Sequence, residues 1–461
     1  MQEQTLTAAH KAFLQGLLPH EDVLLSPEET HVFGTDSSRL TGCPLAVVRP
    51  STTEQVQELL RWAHTERMPV YARARATNVV GGCVPQKPGI VLSLLRMNRI
   101  LEINPDDFVA VVEPGVVTAD LQRAVEAQGL FYPPDPASQN IASIGGNVAT
   151  CAGGMRALKY GVTRDYVLGL DAVLPGGQLL RTGSRCHKNV VGLDLVRLFV
   201  GSEGTLGCMT QLTLKLLPKP AATASVLCGF SSLEAAMDGV RRVFRAGILP
   251  AALEFMGEEV LHCASLLHEV PWPDAVKAAL LFRLDGTPDT LSPDLNRLRA
   301  ALEPAAPVWT GQGIGAAEEE PLWVIRRSIN PASFLVKPDK ISDDVTVPRG
   351  KLLAALTQIR GVADRLALTI LTFGHVGDGN IHVNVMHNAA DPDERARALQ
   401  AKEEVMTLIL ALGGTLSGEH GVGLTKAKHV HRQLSPLERE LMAKVKATFD
   451  PHNIMNPGKA Y

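Results

Sequence analysis

Between Pro44 and about Pro220, short apolar runs alternate with amphipathic stretches, a pattern that predicts strands interleaved with helices. Residues 46–50 begin the series as a strand. Thr53 to Arg67 follows as a helix: Val56, Leu59, Leu60 and Ala63 fall on one face, and Ser51 and Thr52 supply the start signal. Residues 69–74, 89–95 and 108–115 read as further strands, and Thr118 to Gln128 as a second helix halted by Gly129. Pro218 and Pro220 break both periodicities and set a boundary. Beyond it the pattern predicts a second unit, with a helix over 231–247 and a strand over 278–286. Two β-branched apolar runs, Leu366 to Phe373 and Ile381 to Val385, close that unit, and a charged helix from Ser435 to Phe449 lies near the C-terminus. The expected division is residues 1–39 (a helical entry segment), 40–219, 220–413 and 414–461.

An Asp-Gly pair between two apolar runs is a strong hairpin signal. With Asp378 and Gly379 as a two-residue loop, counting outward pairs His375 with His382. Opposed residues in an antiparallel pair have Cβ atoms about 5 Å apart, near enough for two imidazoles to hold one ion. Alternation sets Asn384 on the face of His382. Downstream, in the run SGEHG, Glu419 would add a carboxylate and His420 a base that is not itself a ligand. Two histidines and one carboxylate leave coordination positions open, as in a catalytic metal site. The competing reading is a half-buried hairpin with ordinary polar residues; convergence of so many titratable groups argues against it.

Composition narrows the class. Hydrophobic residues make up 45% and charged residues 20% of the 461, as in a globular chain of two to three domains. A net charge of −3 without long like-charge runs gives no sign of nucleic acid or of an anionic membrane as a partner. The N-terminus is polar and acidic where a secretory leader would be basic and then apolar, and no apolar run approaches the length of a spanning helix. The seven cysteines are odd in number and lack CxxC spacing, so reduced thiols in a soluble cytoplasmic protein are expected. Glycine then adds chemistry. RARATNVVGG (73–82), YPPDPAS (132–138), SIGGN (143–147), AGGMRALKYG (152–161) and GSEGTLG (201–207) are separate loops within one domain. Together they suggest an extended ligand such as a dinucleotide lying against backbone N–H groups. Neither a GxGxxG fingerprint nor a P-loop is present.

These loops, with PLAVVRPSTTEQV, FGHVGDGNIHVN, SGEHGVG and DPHNIMNPGK in that order, resemble the FAD-linked 2-hydroxyacid dehydrogenase family. That family includes D-lactate dehydrogenase, the glycolate oxidase D-subunit and D-2-hydroxyglutarate dehydrogenase, and the resemblance runs from about residue 40 to the end. It implies an α+β fold: a vanillyl-alcohol oxidase (PCMH-type) FAD-binding domain over 40–219, an α/β cap with an antiparallel sheet over 220–413, and a helical C-terminal segment returning to the flavin. It also implies non-covalent FAD, with the pyrophosphate on Arg73, Ala74, Arg75, Ala76, Thr77, Asn78, Gly81 and Gly82. The isoalloxazine would lie near Pro133, Asp135 and Ser138, near Ser143, Gly145, Gly146 and Asn147, and near Gly153 and Gly154. Gly161, Glu203, Gly204 and Asn456, with Lys459, would complete the site. The first loop departs from the family's R-G-A-G-T, because alanine stands where a positive φ is expected, at a cost of about 1 kcal/mol; Arg75 would compensate by pairing with a phosphate.

The resemblance further implies that His375, His382 and Glu419 hold a divalent metal, zinc first, that His420 takes the substrate hydroxyl proton, and that hydride passes to flavin N5. Arg326 would anchor the substrate carboxylate, with Asn330 and Asn384 as further contacts, and either Lys337 or Lys340 would answer the family's distal lysine. The implied reaction is oxidation of a small D-2-hydroxyacid, D-lactate first and glycolate second. Electrons would pass to an iron–sulfur subunit, an electron-transfer flavoprotein or a quinone rather than to NAD, in a homodimer or hetero-oligomer that such a partner could hold at the inner membrane. Three alternatives stand beside it: D-2-hydroxyglutarate dehydrogenase, a non-catalytic FAD-binding subunit of a glycolate-oxidase-like complex, and a metallohydrolase using the His-His-Glu set alone.

Overall fold

Two units divide the chain in the computed structural model, which describes residues 5–460. The first comprises the chain up to Gly154, Gly161–Lys219 and Glu419 onward. After helix α1 (Ala8–Leu17), strands β1 (Val23–Leu24), β2 (Ala46–Val48), β3 (Val70–Arg73) and β4 (Ile90–Ser93) form a sheet in the order β1-β2-β4-β3. β2, β4 and β3 run parallel, so β2 and β3 need a crossover. Helix α2 (Thr53–Thr65) supplies it, burying Val56, Leu59, Leu60 and Ala63, the four positions its periodicity marked. A five-stranded antiparallel sheet follows, built from β5 (Ile100–Asn104), β6 (Val109–Val112), β7 (Val167–Val173), β8 (Leu179–Gly183) and β9 (Cys208–Lys215) in the order β5-β6-β9-β7-β8. Helices α3 (Thr118–Glu126) and α4 (Ile144–Thr150) lie between its strands in sequence.

The second unit is Pro220–Gly418 with Met155–Tyr160. Its sheet of seven strands is antiparallel throughout: β10 (Ala222–Phe230), β11 (Ala252–Gly257), β12 (Ala278–Gly286), β13 (Trp309–Ile314), β14 (Asp339–Thr346), β15 (Thr369–Gly374) and β16 (Asn380–His387), ordered β13-β10-β12-β11-β15-β16-β14. One face buries Leu253, Phe255, Leu280 and Phe282 against helices α5 (Leu233–Arg245), α6 (Pro288–Leu302), α8 (Leu352–Leu366) and α9 (Pro392–Ala411). The other buries Met256, Leu281 and Leu371 against helix α7 (Ala316–Val336), through Leu322, Trp323, Ile325 and Ile329. Trp323 donates its indole N–H to Ser225 Oγ at 2.9 Å, which fixes α7 to β10.

Both units are discontinuous in sequence, with divisions at Gly154, Tyr160, Lys219 and Gly418. Met155–Tyr160 belongs to the second because Lys159 and Tyr160 both bond Asp285 on β12 and Leu158 packs on that unit's core. The C-terminal segment belongs to the first: from helix α10 (Pro436–Phe449) Lys446 Nζ donates to Thr205 O at 2.5 Å, and beyond the helix Asn456 N–H donates to Val70 O at 2.8 Å. All seven cysteines are free. Among the described residues no helix is long and apolar enough to cross a membrane.

Candidate active site

The hairpin carrying the two histidines differs from the expected one. The register pairs Phe373, not His375, with His382, and the connection runs from His375 to Gly379. The loop widens because Val376 is drawn fully into the core and Gly374 and Gly379 take φ of +148° and +93°. Asp378 and Asn380 N–H groups both donate to His375 O. His375 thus steps off the end of β15 and still meets His382, their ring centroids 5.1 Å apart and nearly perpendicular. Leu371 pairs with Asn384, which is buried two residues beyond His382 on the same face of β16.

A buried carboxylate stands behind His375. Glu254, on β11, is fully buried; its Oε1 lies 2.6 Å from His375 Nδ1, and its Oε2 accepts from Arg326 Nε at 2.8 Å and from an Arg326 terminal nitrogen at 2.7 Å. Burial pushes the Glu254 carboxyl up, but His375 and Arg326 overcome it and hold it at about 2. Arg326 comes from α7, lies across the Phe373 ring at 5.0 Å from its centroid and is nine-tenths buried. Two of its nitrogens are thereby committed to the protein, which the expected anchor role did not include. Of the lysines left open, Lys337 is paired with Glu394 at 2.9 Å and Lys340 with Asn330.

The chain reaches Glu419 through a fixed point. Asp344 accepts the Gly418 N–H at 2.7 Å and the Ser417 hydroxyl at 3.2 Å. A Cβ on Gly418 would lie 2.0 Å from Asn380 Nδ2, so a larger residue would have to displace that buried side chain. One ligand atom each from His375, His382 and Glu419 lie within 4.8 Å of one another. That is the donor set of an open divalent-cation site, with one ring nitrogen of His375 oriented by Glu254. His420, next in sequence and about one-third exposed, has Nε2 3.9 Å from Glu419 Oε1.

In the first unit, two hydroxyls in the glycine loops stand out. The Ser143 and Tyr132 hydroxyls are buried and have no hydrogen-bond partner among the described residues. Ser143 precedes α4 without capping it. A cavity of about 330 Å³ is lined by Arg75, Asn98, Ile100, Gly115, Val116, Val117 and Asp120. Gly145 packs on Pro114, where a Cβ would come within 2.4 Å, Gly154 has φ +149° against Asp135, and Gly153 approaches the Glu419 carboxylate as a Cβ could not. Orphaned donors, backbone without side chains and a cavity beside Arg75 fit a cofactor in this cradle. The other expected contacts brace the cradle from within. Arg73 donates to the Val32, Phe33 and Thr35 carbonyls, Asn78 Oδ1 accepts from Gly82 N–H at 2.8 Å, and Asn147 Nδ2 bonds Thr118 Oγ1 at 2.7 Å. Glu203, at φ +51° and followed by Gly204 at +71°, accepts from the Val422 and Gly423 N–H groups at 2.7 and 2.8 Å. Asn456 Nδ2 bonds Gly82 O and Glu203 O, and Lys459, held to about 8 by burial, donates to Gly82 O.

Ala76 has φ +53°, the strained conformation its place in the loop implied, whereas Ala74 does not share it. Ala76→Gly is expected to raise stability by about 0.5–1 kcal/mol. Thermal denaturation checks this, and an unchanged or lower midpoint would count against strain at that residue.

The profile of FAD linked oxidases, C-terminal domain, matches residues 219–460, and that of the FAD binding domain matches 44–183. The chain belongs to the FAD-linked 2-hydroxyacid dehydrogenase family. It is 42% identical to the glycolate oxidase subunit GlcD of Bacillus subtilis, with 91% of this chain and 89% of that one covered. It is 34% identical to a D-lactate dehydrogenase of Anaerostipes hadrus (95% and 94% covered) and 34% identical to a D-2-hydroxyglutarate dehydrogenase of Stutzerimonas stutzeri (97% and 98%). Among solved structures, p-cresol methylhydroxylase matches with a TM-score of 0.82 at 18% identity, covering 99% of this chain and 98% of that one. The 4-ethylphenol oxidase of Gulosibacter chungangensis matches at 0.78 and 20%, covering 100% and 98%. These two similarities establish the fold of this family member as that of the vanillyl-alcohol oxidase type.

The family member is thus an FAD-linked oxidoreductase. Glu254 was not among its expected site residues. Its signal was present: in AALEFMG it is a lone charge inside an otherwise apolar strand, and such a residue is rarely buried without a partner.

Proposed function

We propose that this chain oxidises a small D-2-hydroxyacid, D-lactate first and glycolate second, to the 2-oxoacid, using non-covalent FAD and a divalent cation, zinc first. The observation that carries the reading is the convergence of His375, His382 and Glu419 beside the Glu254–Arg326 pair. When bound, the flavin accepts a hydride and the cation makes a nearby hydroxyl more acidic. The protein's own groups supply the rest. Arg326 keeps a terminal nitrogen beyond the two that Glu254 occupies, and this donor binds the substrate carboxylate. Asn384 contacts the substrate from the face of His382. His420, outside the donor set, takes the hydroxyl proton, a role open to an imidazole.

The pairing of Lys337 with Glu394 and of Lys340 with Asn330 favours a short substrate over 2-hydroxyglutarate, since both lysines already neutralise or bond protein groups. That a similar protein is named a subunit of glycolate oxidase supports transfer of electrons to a partner chain, an iron–sulfur subunit or electron-transfer flavoprotein, or else to a quinone. Anaerobic mixing with a panel of D- and L-2-hydroxyacids tests the proposal: D-lactate is expected to bleach the flavin fastest, glycolate next, and L-lactate slowly. No bleaching by any of them would sink it, and bleaching by D-2-hydroxyglutarate alone would transfer the assignment to the dicarboxylate.

A further inference from the structure

We infer that Glu254 is a positioning residue that sets the metal-ligand imidazole of His375 and the guanidinium of Arg326 in register through a single buried carboxylate. The inference rests on the metal and substrate roles proposed above. β11 carries Glu254 on the face of the sheet that α7 covers, the face that also holds Met256, Leu371 and Phe373. Its two oxygens divide the work. Oε1 takes His375 Nδ1 at 2.6 Å, and Oε2 takes two nitrogens of Arg326 at 2.7 and 2.8 Å. An ionised carboxylate only accepts, so in the neutral ring the His375 proton is held on Nδ1 and the lone pair on Nε2. The same carboxylate turns the guanidinium plane over Phe373 and fixes which of its donors stays uncommitted.

Two features separate this arrangement from a structural ion pair. A pair that served stability alone would need one cation, and here one carboxylate serves two groups with different chemical tasks. Each task also depends on the other's placement, because a 2-hydroxyacid fixes the distance between its hydroxyl and its carboxylate. A support shared by both contacts keeps that distance as the strands and helix breathe. Carboxylates behind metal-bound histidines orient the ring and raise its basicity, and their loss usually weakens metal binding about 10–100-fold.

The test uses full-length, FAD-loaded protein stripped of metal. Selective ¹⁵N labelling of histidine reports the tautomer of His375, and cobalt titration reports affinity. In the unaltered protein His375 is expected to carry its proton on Nδ1. Glu254→Gln, which can also donate to the ring, is expected to mix the tautomers, weaken cobalt binding about 10–100-fold, and raise the apparent KM for the hydroxyacid more than it lowers flavin occupancy. Glu254→Asp keeps the charge that Arg326 faces and draws the carboxylate back by one methylene; it should show a smaller loss in the same direction, and serves if the glutamine variant does not fold. Unchanged imidazole signals with full cobalt affinity in either variant overturn the inference. If the unaltered protein takes up no cobalt, the metal reading fails instead, while the tautomer still decides whether Glu254 governs His375.

Discussion

His420→Ala is expected to lower the rate of flavin reduction by the hydroxyacid by about 10²–10⁴-fold, the usual contribution of a positioned general base, and to leave cofactor and metal content intact. The separation of effects follows from position. His420 stands outside the three-residue donor set and has Nε2 3.9 Å from the Glu419 carboxylate, a distance at which it neighbours a ligand without being one. Stopped-flow reduction under anaerobic conditions, with metal and flavin assayed on the same sample, checks the result. Reduction at close to the unaltered rate would remove His420 from the mechanism. Loss of metal together with activity would make it a ligand.

Much of this fold could be read from hydrophobic periodicity, and the part that could not has a common cause. α2 buries the four positions its pattern marked, and the predicted strands through 108–115 fall within a few residues of β2, β3, β4 and β6. These are elements whose local propensity and burial agree. The hairpin was harder. Asp-Gly signals a turn, yet the register was settled by Val376 entering the core, a tertiary preference that outweighs the two-residue loop. The return of the C-terminal segment to the first unit was implied by the family resemblance, whereas the placement of Met155–Tyr160 with the second unit was not legible. Nothing in Met155–Tyr160 announces that it will bond Asp285, more than a hundred residues away.

The site divides in the same way. The histidines, the acid and its neighbouring base sit in short motifs whose spacing carries meaning, and the structure brings His375, His382 and Glu419 within reach of one ion. Arg326 was a candidate anchor in the sequence, but its carboxylate partner lay seventy-two positions earlier. Spacing says nothing about a carboxylate that supports a site from another strand. Its only local trace is a charge where the strand pattern calls for an apolar residue. The alanine at position 76 is the opposite case: the φ that the loop demands was readable, and the structure has it.

Removal of the metal is the second large effect expected. Exhaustive chelation is expected to abolish hydroxyacid oxidation, to leave the flavin absorbance in place, and to be reversed by adding back a divalent cation. The flavin is expected to stay because the groups proposed to hold it, the glycine loops, Ser143, Tyr132 and the Arg75 cavity, lie within the first unit and none of them belongs to the donor set. Activity goes because His420 alone must then deprotonate an ordinary alcohol, whose hydroxyl is many pKa units above that of an imidazolium. The stripped protein should keep its fold, since the Glu254–His375–Arg326 contacts need no ion to hold the hairpin. Full activity after verified metal loss would dismiss the cation from the mechanism. Loss of flavin along with the metal would show that the two sites depend on each other for their assembly.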